Sequence, residues 1–296
     1  MRIAIIGHIP HDRYVFTDGS AYNGFGGVLY GAAALAGALA GDGEVVLVSR
    51  VGAAIEPDVR RLVGRYGAIL PHIDTVPDYG WMVHANYLDG ERRRERLRGD
   101  VPPWHAEELV RAVEGCDAAL LNMVTGYEIT LGEFLKFAPS SSSLHFDFHS
   151  LALGRDESGL RIPALNPDAW QWCSRAHTLQ MNCAELQSVL PDALPMEAAA
   201  TLSTWGPAVV IITDGSHGVI VAESGKAVHI AAADPTTTPV DPTGCGDVFG
   251  ACFLVGRLRG LSGIDAARAA AQVARRNADH RGIPTPQRLR EMFADV

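Results

Sequence analysis

One segment near the C-terminus, DPTGCGD at residues 241–247, combines a glycine-rich turn with an aspartate. Gly244 and Gly246 allow the backbone to point successive N–H groups into one concavity, which predicts an anion site. The apolar residues that follow, VFGA at 248–251, indicate a buried helix, whose N-terminal dipole favours negative charge at the same place. The segment is therefore suited to holding a phosphate.

Asp247 ends this segment beside the predicted anion site, where a second negative charge repels a bound phosphate. The carboxylate is explained if it accepts the proton of an attacking hydroxyl group, as a general base does in phosphoryl transfer. The alternative is a strand-to-helix turn in which Asp247 only caps the helix. For the GxGD pattern alone both interpretations stay open, and the first one indicates a kinase.

The whole DPTGCGD string, with its small-residue helix, closely resembles the C-terminal signature of the ribokinase-like carbohydrate kinases, the PfkB family, where it is usually DTTGAGD or similar. The resemblance implies a kinase that uses ATP, with Asp247 as catalytic base and the amides of Gly244, Cys245 and Gly246 as anion hole. Pro242 and Cys245 replace the common Thr and Ala, and neither change removes an amide that the hole needs.

A second motif, NCAE at residues 182–185, places an amide and a carboxylate three residues apart. Within one helical turn Asn182 and Glu185 can face a common point, and hydrated Mg²⁺ takes such oxygen ligands, often through water. The alternative is a capping box, in which the two residues only stabilise a helix start. The motif matches the NxxE element of the resembling family, which favours Mg²⁺. The family also implies a monovalent cation, K⁺, near Asp241.

A third motif, TDGSHG at residues 213–218, follows a predicted strand and resembles the TxGxxG nucleotide loop of the same family. Glycines in such a loop let the backbone approach ATP closely, whereas the alternative is a hairpin turn into the next strand. The resemblance assigns Thr213, Gly215 and Gly218 to ATP binding, and it places Asn277 on the adenine side.

Residues for the acceptor are expected at the N-terminal end of the chain. Asp12 falls where the resembling family keeps a substrate-binding carboxylate, and a carboxylate can accept two hydroxyl hydrogen bonds from a vicinal diol. Gly26 and Gly27 resemble the GG pair that opens the first long helix and brings a polyol close to the backbone. The family Asn downstream of this pair is replaced by Gly31, so sugar recognition is expected to differ.

Another departure lies in the D-x-N-x-R element of the family, which corresponds here to residues 147–151. Asp147 is kept, whereas His149 and Leu151 stand in place of the Asn and the Arg. The cation that contacts phosphate in this element is therefore expected to be absent.

The elements that position these residues follow from an alternation of short apolar strands and helical patterns, which predicts a parallel sheet covered by helices on both faces. The predicted strands are residues 2–6, 45–48, 118–121, 144–146, 178–181 and 209–212, and the predicted helices are 27–40, 56–66 and 264–280. With the resemblance, this predicts a single domain over residues 1–296: a ribokinase-like three-layer α/β sandwich with a mostly parallel central sheet and a small β-sheet lid.

The lid is predicted from residues 12–18 and 73–101, which look like β-structure without helices. Asp89-Gly90 between two strand-like runs is a strong hairpin signal. Closure of such a lid excludes water, which otherwise competes as phosphoryl acceptor. The charge run RRRER at 92–96 is interpreted as a solvated hairpin face, the alternative being contact with an anionic substrate or a neighbouring subunit.

Composition restricts the partners. The 25 basic and 34 acidic residues give a net charge of −9, which argues against nucleic acid or an anionic membrane surface and favours a small-molecule ligand. Five cysteines without CxxC spacing suggest neither a disulfide framework nor a zinc site, which fits a reducing cytoplasm.

No export signal or membrane span is expected. A homodimer formed through the lid is expected by analogy with the family.

The predicted function is phosphorylation of a hydroxymethyl group of a small sugar by ATP. A nucleoside kinase is the alternative, because Tyr79, Trp81 and Tyr87 on the lid could stack on a base or merely pack the hairpin. A sugar-sensing protein without catalysis is a further alternative, which the presence of Asp247 makes less attractive. A dinucleotide-dependent oxidoreductase is set aside, because residues 7–12 after the first strand lack GxGxxG.

Overall fold

The computed structural model describes residues 1–88, 93–138, 143–232 and 239–294. Within these residues a central sheet of nine strands crosses the molecule. In spatial order its strands are Lys226–Ile230 (β15), Val219–Glu223 (β14), Val209–Thr213 (β13), Thr178–Asn182 (β12), Leu144–Asp147 (β9), Ala118–Asn122 (β8), Arg2–Ile6 (β1), Glu44–Gly52 (β4) and Ile69–Val76 (β5). Neighbouring strands are parallel from β13 to β5, and β14 and β15 extend the sheet in antiparallel fashion.

The central strands are continuous runs of Val, Ile, Leu and Ala because both faces of the sheet are covered. Along β1, Ile3 and Ile5 point into one hydrophobic core, whereas Ala4 and Ile6 point into the other. This alternation places one core on each side of the sheet, as the pleat of a strand requires. All six predicted strands of the sheet are present.

Helices cover the two faces in separate groups. The first core is covered by Leu29–Leu39 (α1), Glu56–Val63 (α2), Cys245–Leu258 (α8), Gly263–Asn277 (α9) and Pro286–Met292 (α10). The second is covered by Ala106–Ala112 (α3), Leu131–Phe137 (α4), Ala169–Cys173 (α5), Cys183–Leu186 (α6) and Pro195–Ser203 (α7). The predicted three-layer α/β sandwich is therefore confirmed. None of the helices in the described part of the chain is long and apolar enough to cross a membrane.

A separate sheet of four strands forms the lid, in the order Ala21–Phe25 (β3), His11–Val15 (β2), Met82–Tyr87 (β6) and Arg93–Arg98 (β7). Strands β2 and β6 run parallel and the other pairs are antiparallel. Aromatic and aliphatic side chains such as Tyr14, Trp81 and Leu97 form a small core of its own under this sheet. A short hairpin of Leu153–Arg155 (β10) and Arg161–Pro163 (β11) completes the strands.

The small separate sheet is confirmed, but its composition differs from the prediction in two respects. Strand β3 was not predicted, because AYNGF contains a glycine and shows no regular apolar alternation. Residues 73–76 were assigned to the lid but belong to β5, which pairs with β4 at the edge of the central sheet. The predicted turn at Asp89-Gly90 lies outside the described residues.

Candidate active site

The carboxyl ends of the parallel strands bring polar side chains to one edge of the central sheet. Asn122 ends β8, Asp147 ends β9 and Asn182 ends β12. Strand β1 ends at this edge as well, and residues 7–10 lead from it directly into the lid strand β2 with Asp12. Open α/β sheets bind their ligands at this edge, because the loops that follow the strands meet there.

Asp247 lies in the first turn of α8 and faces the end of β8, where the side-chain amide of Asn122 donates a hydrogen bond to its Oδ1. Burial raises the pKa of Asp247 to about 6, against the opposing effects of the His149 charge and the Asn122 hydrogen bond. A carboxylate with this pKa is ionised at pH 7 and is more basic than an ordinary aspartate, which suits a proton acceptor. Sequence reasoning did not find Asn122, because its contact with α8 is long-range.

The backbone of the signature loop leaves two of the three predicted anion-hole amides unused. Gly244 has φ +76°, and a Cβ there would lie 2.2 Å from the Tyr30 ring, so this position requires glycine. The Cys245 N–H donates to the Pro242 carbonyl at 3.2 Å and is thus engaged within the turn. Among the described residues the amides of Gly244 and Gly246 have no acceptor. These two donors can therefore bind an anion beside Asp247.

Asn277 supports the signature loop from behind. It is fully buried, and its side-chain amide donates to the Thr243 carbonyl at 3.2 Å and reaches Cys245 Sγ at 3.6 Å. The assignment of Asn277 to the adenine side of a nucleotide is therefore corrected: the side chain fixes the turn and presents no surface to a ligand.

Asp241 is buried at the start of the signature. Its Oδ1 accepts hydrogen bonds from the Thr243 amide at 2.9 Å and from the Tyr87 hydroxyl at 3.3 Å, and its Oδ2 has no hydrogen-bond partner in the described part of the chain. A buried carboxylate oxygen without a donor is costly unless a cation is nearby. The donor chemistry thus fits the monovalent cation that the sequence predicts at this residue.

Asp12 is fully buried on the inner face of the lid, where its Oδ2 accepts a hydrogen bond from the Tyr14 hydroxyl at 2.5 Å. Its Oδ1 has no hydrogen-bond partner among the described residues, so one acceptor atom remains for a ligand. Burial raises the pKa of Asp12 to about 8, and the Glu95 charge adds to this effect, while the Tyr14 hydrogen bond and the Arg93 charge oppose it.

The glycine pair before α1 packs against these groups. A Cβ on Gly26 would lie 1.7 Å from Asp12 Oδ2, and Gly27 has φ +59° with its Cβ position 2.4 Å from the His8 carbonyl. Both positions therefore require glycine for a steric reason. Gly31 faces the sheet in the same way, since its Cβ would lie 2.7 Å from Ile5 Cδ1. The asparagine that the family carries there has no room in this chain.

The predicted nucleotide loop forms a tight turn between antiparallel strands. Gly215 to His217 make one turn of 3₁₀-helix, and β13 pairs with β14 on either side of it. Gly218 has φ +109° and packs on the Ile230 carbonyl, so the strand pairing itself requires this glycine. The hairpin interpretation is thus realised. Thr213 at the end of β13 and the exposed Gly215 stay compatible with a phosphoryl donor.

The NxxE motif forms the capping box. The Glu185 amide donates to Asn182 Oδ1 at 2.8 Å, and Glu185 accepts from the Asn182 backbone amide at 2.8 Å and from its side-chain amide at 2.7 Å. The oxygen of Asn182 is therefore engaged in the cap. Both oxygens of Glu185 are engaged in the same cap, so the assignment of Asn182 and Glu185 to Mg²⁺, directly or through water, stays a prediction.

Glu185 instead belongs to a cluster with Asp147 and His149, whose ligand atoms all lie within 4.8 Å of one another. Burial by itself lowers the pKa of His149, but the hydrogen bond and charge of Glu185 and the charge of Asp147 raise it to about 9. Burial also raises the pKa of Asp147. The carboxylate oxygens of Asp147 and Glu185 are suitable ligands for a hard divalent cation, whereas a protonated His149 ring is not a ligand. The NxxE motif predicted Glu185 of this cluster, whereas Asp147 and His149 were seen only as an altered D-x-N-x-R element.

Comparison with known proteins agrees with this geometry. Residues 161–288 match the pfkB family carbohydrate kinases. A pyrophosphate-dependent kinase of the ribokinase family superimposes with a TM-score of 0.83 at 18% identity, covering 99% of this chain and 100% of that one. Ribokinase from Thermotoga maritima superimposes with a TM-score of 0.76 at 18% sequence identity, and the match covers 99% of each chain. Arabidopsis thaliana ribokinase in complex with ribose and ATP superimposes with a TM-score of 0.76 at 19% sequence identity, and the match covers 98% of this chain and 97% of that one.

A cytidine kinase of Thermococcus kodakarensis is 41% identical over 64 residues, 22% of this chain. The match spans 23% of that relative's own length. The family match and the structural neighbours together support a phosphotransferase. The resemblance predicted from the signature is thus confirmed: the chain shares the fold of its ribokinase structural neighbours, and its residues 161–288 match the pfkB family carbohydrate kinases.

Proposed function

We propose that the protein is an ATP-dependent kinase that phosphorylates a hydroxymethyl group of a small sugar. The observation that carries this proposal is the position of Asp247, in the first turn of α8, next to the free amides of Gly244 and Gly246. A base and an anion site side by side are what in-line phosphoryl transfer needs. The pKa of Asp247 is raised to about 6, which is still below neutral pH, so the carboxylate is ionised and more basic than an ordinary aspartate.

The chemistry follows from the two carboxyl groups. Asp12, whose raised pKa keeps it protonated at neutral pH, hydrogen-bonds an acceptor hydroxyl through its free Oδ1, and the reacting hydroxyl lies within reach of Asp247. As the hydroxyl oxygen forms its bond to the terminal phosphorus of ATP, Asp247 takes the proton and the bond between that phosphorus and the bridging oxygen breaks, which releases ADP. The amides of Gly244 and Gly246 stabilise the negative charge of the transferring group.

Two cations fit the donor groups of the site. The carboxylates of Glu185 and Asp147 would hold the divalent ion, Mg²⁺, which neutralises charge on the ATP phosphates when it is bound. The free Oδ2 of Asp241 would face the monovalent ion, K⁺. Asn182 then positions Glu185 through the capping box.

The aromatic residues of the lid favour a sugar over a nucleoside. Trp81 is 2% exposed and stacks on Tyr127, and Tyr87 is 8% exposed and stacks on Phe16. Both rings are buried against other side chains and cannot stack on a base. Of the three aromatic residues predicted on the lid, only Tyr79 is exposed, at 50%. The similarity to a cytidine kinase keeps the nucleoside as the second candidate, but it covers only 64 residues.

The test is a screen of ATP consumption by the purified protein over pentoses, hexoses and nucleosides. We expect turnover with a sugar, and turnover with nucleosides alone would replace the first candidate by the second. Binding of a sugar without any consumption of a phosphoryl donor would support the sensing protein.

Pyrophosphate belongs in the same screen as a second donor. Asn277, the residue predicted on the adenine side, is fully buried, so no described residue is assigned to the base of a nucleotide. Structures of similar fold include a pyrophosphate-dependent kinase in complex with a pyrophosphate analog and myo-inositol. Turnover with pyrophosphate and none with ATP would change the donor of the proposal and leave the role of Asp247 as it is.

The homodimer remains a proposal that concerns the lid. Strand β3 forms one edge of the lid sheet, and an edge strand offers unpaired backbone groups to a second copy. Strand β7 at the other edge is less available, since the Leu97 amide donates to the Gly159 carbonyl at 2.9 Å. Sedimentation equilibrium decides between monomer and dimer.

A further inference from the structure

The lid sheet has an outer face, on the side away from the active-site cleft. Leu97 of β7 belongs to the small core under the lid, and Arg93 points inward with it, because alternate residues of a strand share a face. Arg94, Arg96 and Arg98 therefore point outward. The charge run of this strand, interpreted from the sequence as a solvated hairpin face, thus divides between the two faces of the lid.

The strand register extends this outer face across all four strands of the lid. In its middle row Arg13 of β2 pairs with His84 of β6, and His84 pairs with Arg96. The face consists of Phe25, His11, Met82 and Arg98 in one row, Asn23, Arg13, His84 and Arg96 in the next, and Ala21, Val15, Asn86 and Arg94 in the third. It holds four arginines and two histidines and no carboxylate.

The four arginines of the outer face have no ionic partner in the described part of the chain. None of them forms an ion pair there or donates a side-chain hydrogen bond, and three of them are exposed. The acidic residues at 156–157, on the hairpin beside β7, form no ion pair with them either. Other arginines do pair with carboxylates, as Arg60 does with Glu56 and Arg281 with Asp18. The outer face is therefore an unpaired block of positive charge on a chain whose net charge is −9.

The charges of this face repel one another. Burial lowers the pKa of His84, and the charges of Arg98, Arg13 and His11 lower it further. Like charges that meet across neighbouring strands destabilise a sheet. Charge on an edge strand discourages edge pairing, but Arg13 and His84 belong to the inner strands of the lid, where that explanation does not apply. An anionic partner accounts for the arrangement, because its charge removes the repulsion.

The size of the outer face restricts that partner. Four strands and three alternate residues span about 14 Å in each direction, or roughly 200 Å². A stable interface between folded proteins takes roughly 800 Å² from each partner. Nucleic acid or an anionic membrane extends beyond the face and meets the surrounding surface, which is negative overall. A second copy of the lid cannot cover it face to face, because both faces are positive. A short acidic segment fits the face alone.

We propose that the outer face of the lid binds an extended acidic segment of another protein, with carboxylates at alternate residues. Arg94, Arg96 and Arg98 repeat every second residue, about 6.8 Å, and the side chains on one face of an extended peptide repeat at the same distance. Guanidinium groups bind carboxylates through paired N–H donors. The inference goes beyond the kinase proposal and does not depend on it, because its test uses neither a phosphoryl donor nor an acceptor.

Binding of short labelled peptides to the full chain tests the proposal, with fluorescence anisotropy as the readout. The probe is a peptide of alternating glutamate and threonine, and its control has glutamine in place of each glutamate. An exposed arginine–carboxylate pair contributes about 1.5- to 5-fold in affinity, so three pairs along β7 give roughly 3- to 100-fold tighter binding of the acidic peptide. The difference should shrink at about 0.3 M salt, where exposed charges are screened. Equal binding of the two peptides overturns the proposal.

Variants show whether the outer face is responsible. Arg94→Gln, Arg96→Gln and Arg98→Gln combined in one protein should remove the preference for the acidic peptide, and the same three exchanges to lysine should keep most of it. Arg111→Gln is the matched control, because Arg111 is an exposed arginine of α3 outside the lid, and it should leave the preference unchanged. A triple glutamine variant that binds the acidic peptide like the wild type contradicts the proposal. An equal loss in the triple lysine variant contradicts recognition by charge.

The other anionic occupants are tested against the same variants. An oligothymidylate, and vesicles of phosphatidylserine and phosphatidylcholine in equal parts, replace the peptide as probes. Tighter binding of either probe than of the acidic peptide, lost in the triple glutamine variant, overturns the proposal in favour of a nucleic acid or a membrane. Sedimentation equilibrium at low salt tests a second copy of the chain. Self-association that the triple glutamine variant abolishes overturns the proposal in favour of the chain's own acidic surface.

Discussion

The signature turn at residues 241–247 should tolerate no side chain at Gly244. An alanine Cβ there would lie 2.2 Å from the Tyr30 ring, and the backbone has φ +76°. The left-handed conformation costs about 1–2 kcal/mol for a residue with a Cβ. Displacing a buried aromatic ring adds about 1–3 kcal/mol. We therefore expect Gly244→Ala to lower the free energy of unfolding by roughly 2–5 kcal/mol.

Urea unfolding followed by tryptophan fluorescence measures this loss, and Gly246→Ala is the control. At Gly246 the nearest atom to an added Cβ is Gln180 Nε2 at 3.9 Å, and φ is not positive. The control variant should therefore stay within about 1 kcal/mol of the wild type. If Gly244→Ala proves as stable as Gly246→Ala, the packing of Tyr30 on the loop is not as described.

Three further predictions concern the two carboxyl groups. Since the proton acceptor must be ionised, kcat/KM should rise with pH up to about 6, the pKa of Asp247, and level off above it; a profile that is flat from pH 4.5 to 7 contradicts this. Asp12 keeps its proton up to about pH 8 when folded but releases it near 3.8 when unfolded, so stability should fall by about 1.4 kcal/mol per pH unit between these values. Asp12→Asn should remove that fall, which urea titrations of the wild type and the variant at pH 5 and pH 8 measure. The same pH dependence of stability in the two proteins argues against a raised pKa at Asp12. Asp12→Asn should also raise the KM of the acceptor while calorimetry finds ATP affinity unchanged; equal loss of both argues against a role in acceptor binding.

The central sheet could be predicted because its buried strands are uninterrupted apolar runs, whose length and composition leave little alternative. Residues 209–212 and 2–6 are of this kind. The signature loop could be predicted for a similar reason, since its glycines are required locally: Gly244 needs both its φ and its lack of a Cβ.

The remainder of the site depends on contacts between distant residues. Asn122 reaches Asp247 across 125 positions of sequence, and Asn277 reaches Thr243 across 34. A single sequence gives no sign of such pairs. The inward direction of Arg93 was missed for another reason: an alternating strand has two phases, and only the packing of the lid decides which phase faces the cleft.

The NxxE motif shows a third kind of limit. The capping box and the metal site use the same two residues at the same spacing, so the sequence cannot separate them. In the structure the cap engages the side chains of both Asn182 and Glu185, and Glu185 also lies beside Asp147 and His149. Only the fold brings the last two residues, which follow a different strand, to this helix.

The most direct test of the account is the turnover of Asp247→Asn beside that of Asp265→Asn. Both aspartates are the third residue of their helix, α8 or α9, so an effect on helix capping would be common to both variants. The account predicts a loss of kcat of at least ~100-fold for Asp247→Asn, with donor affinity retained and with Asp265→Asn close to the wild type. Activity of Asp247→Asn within a few-fold of the wild type would contradict it, because the carboxylate next to the anion site would then not be the base.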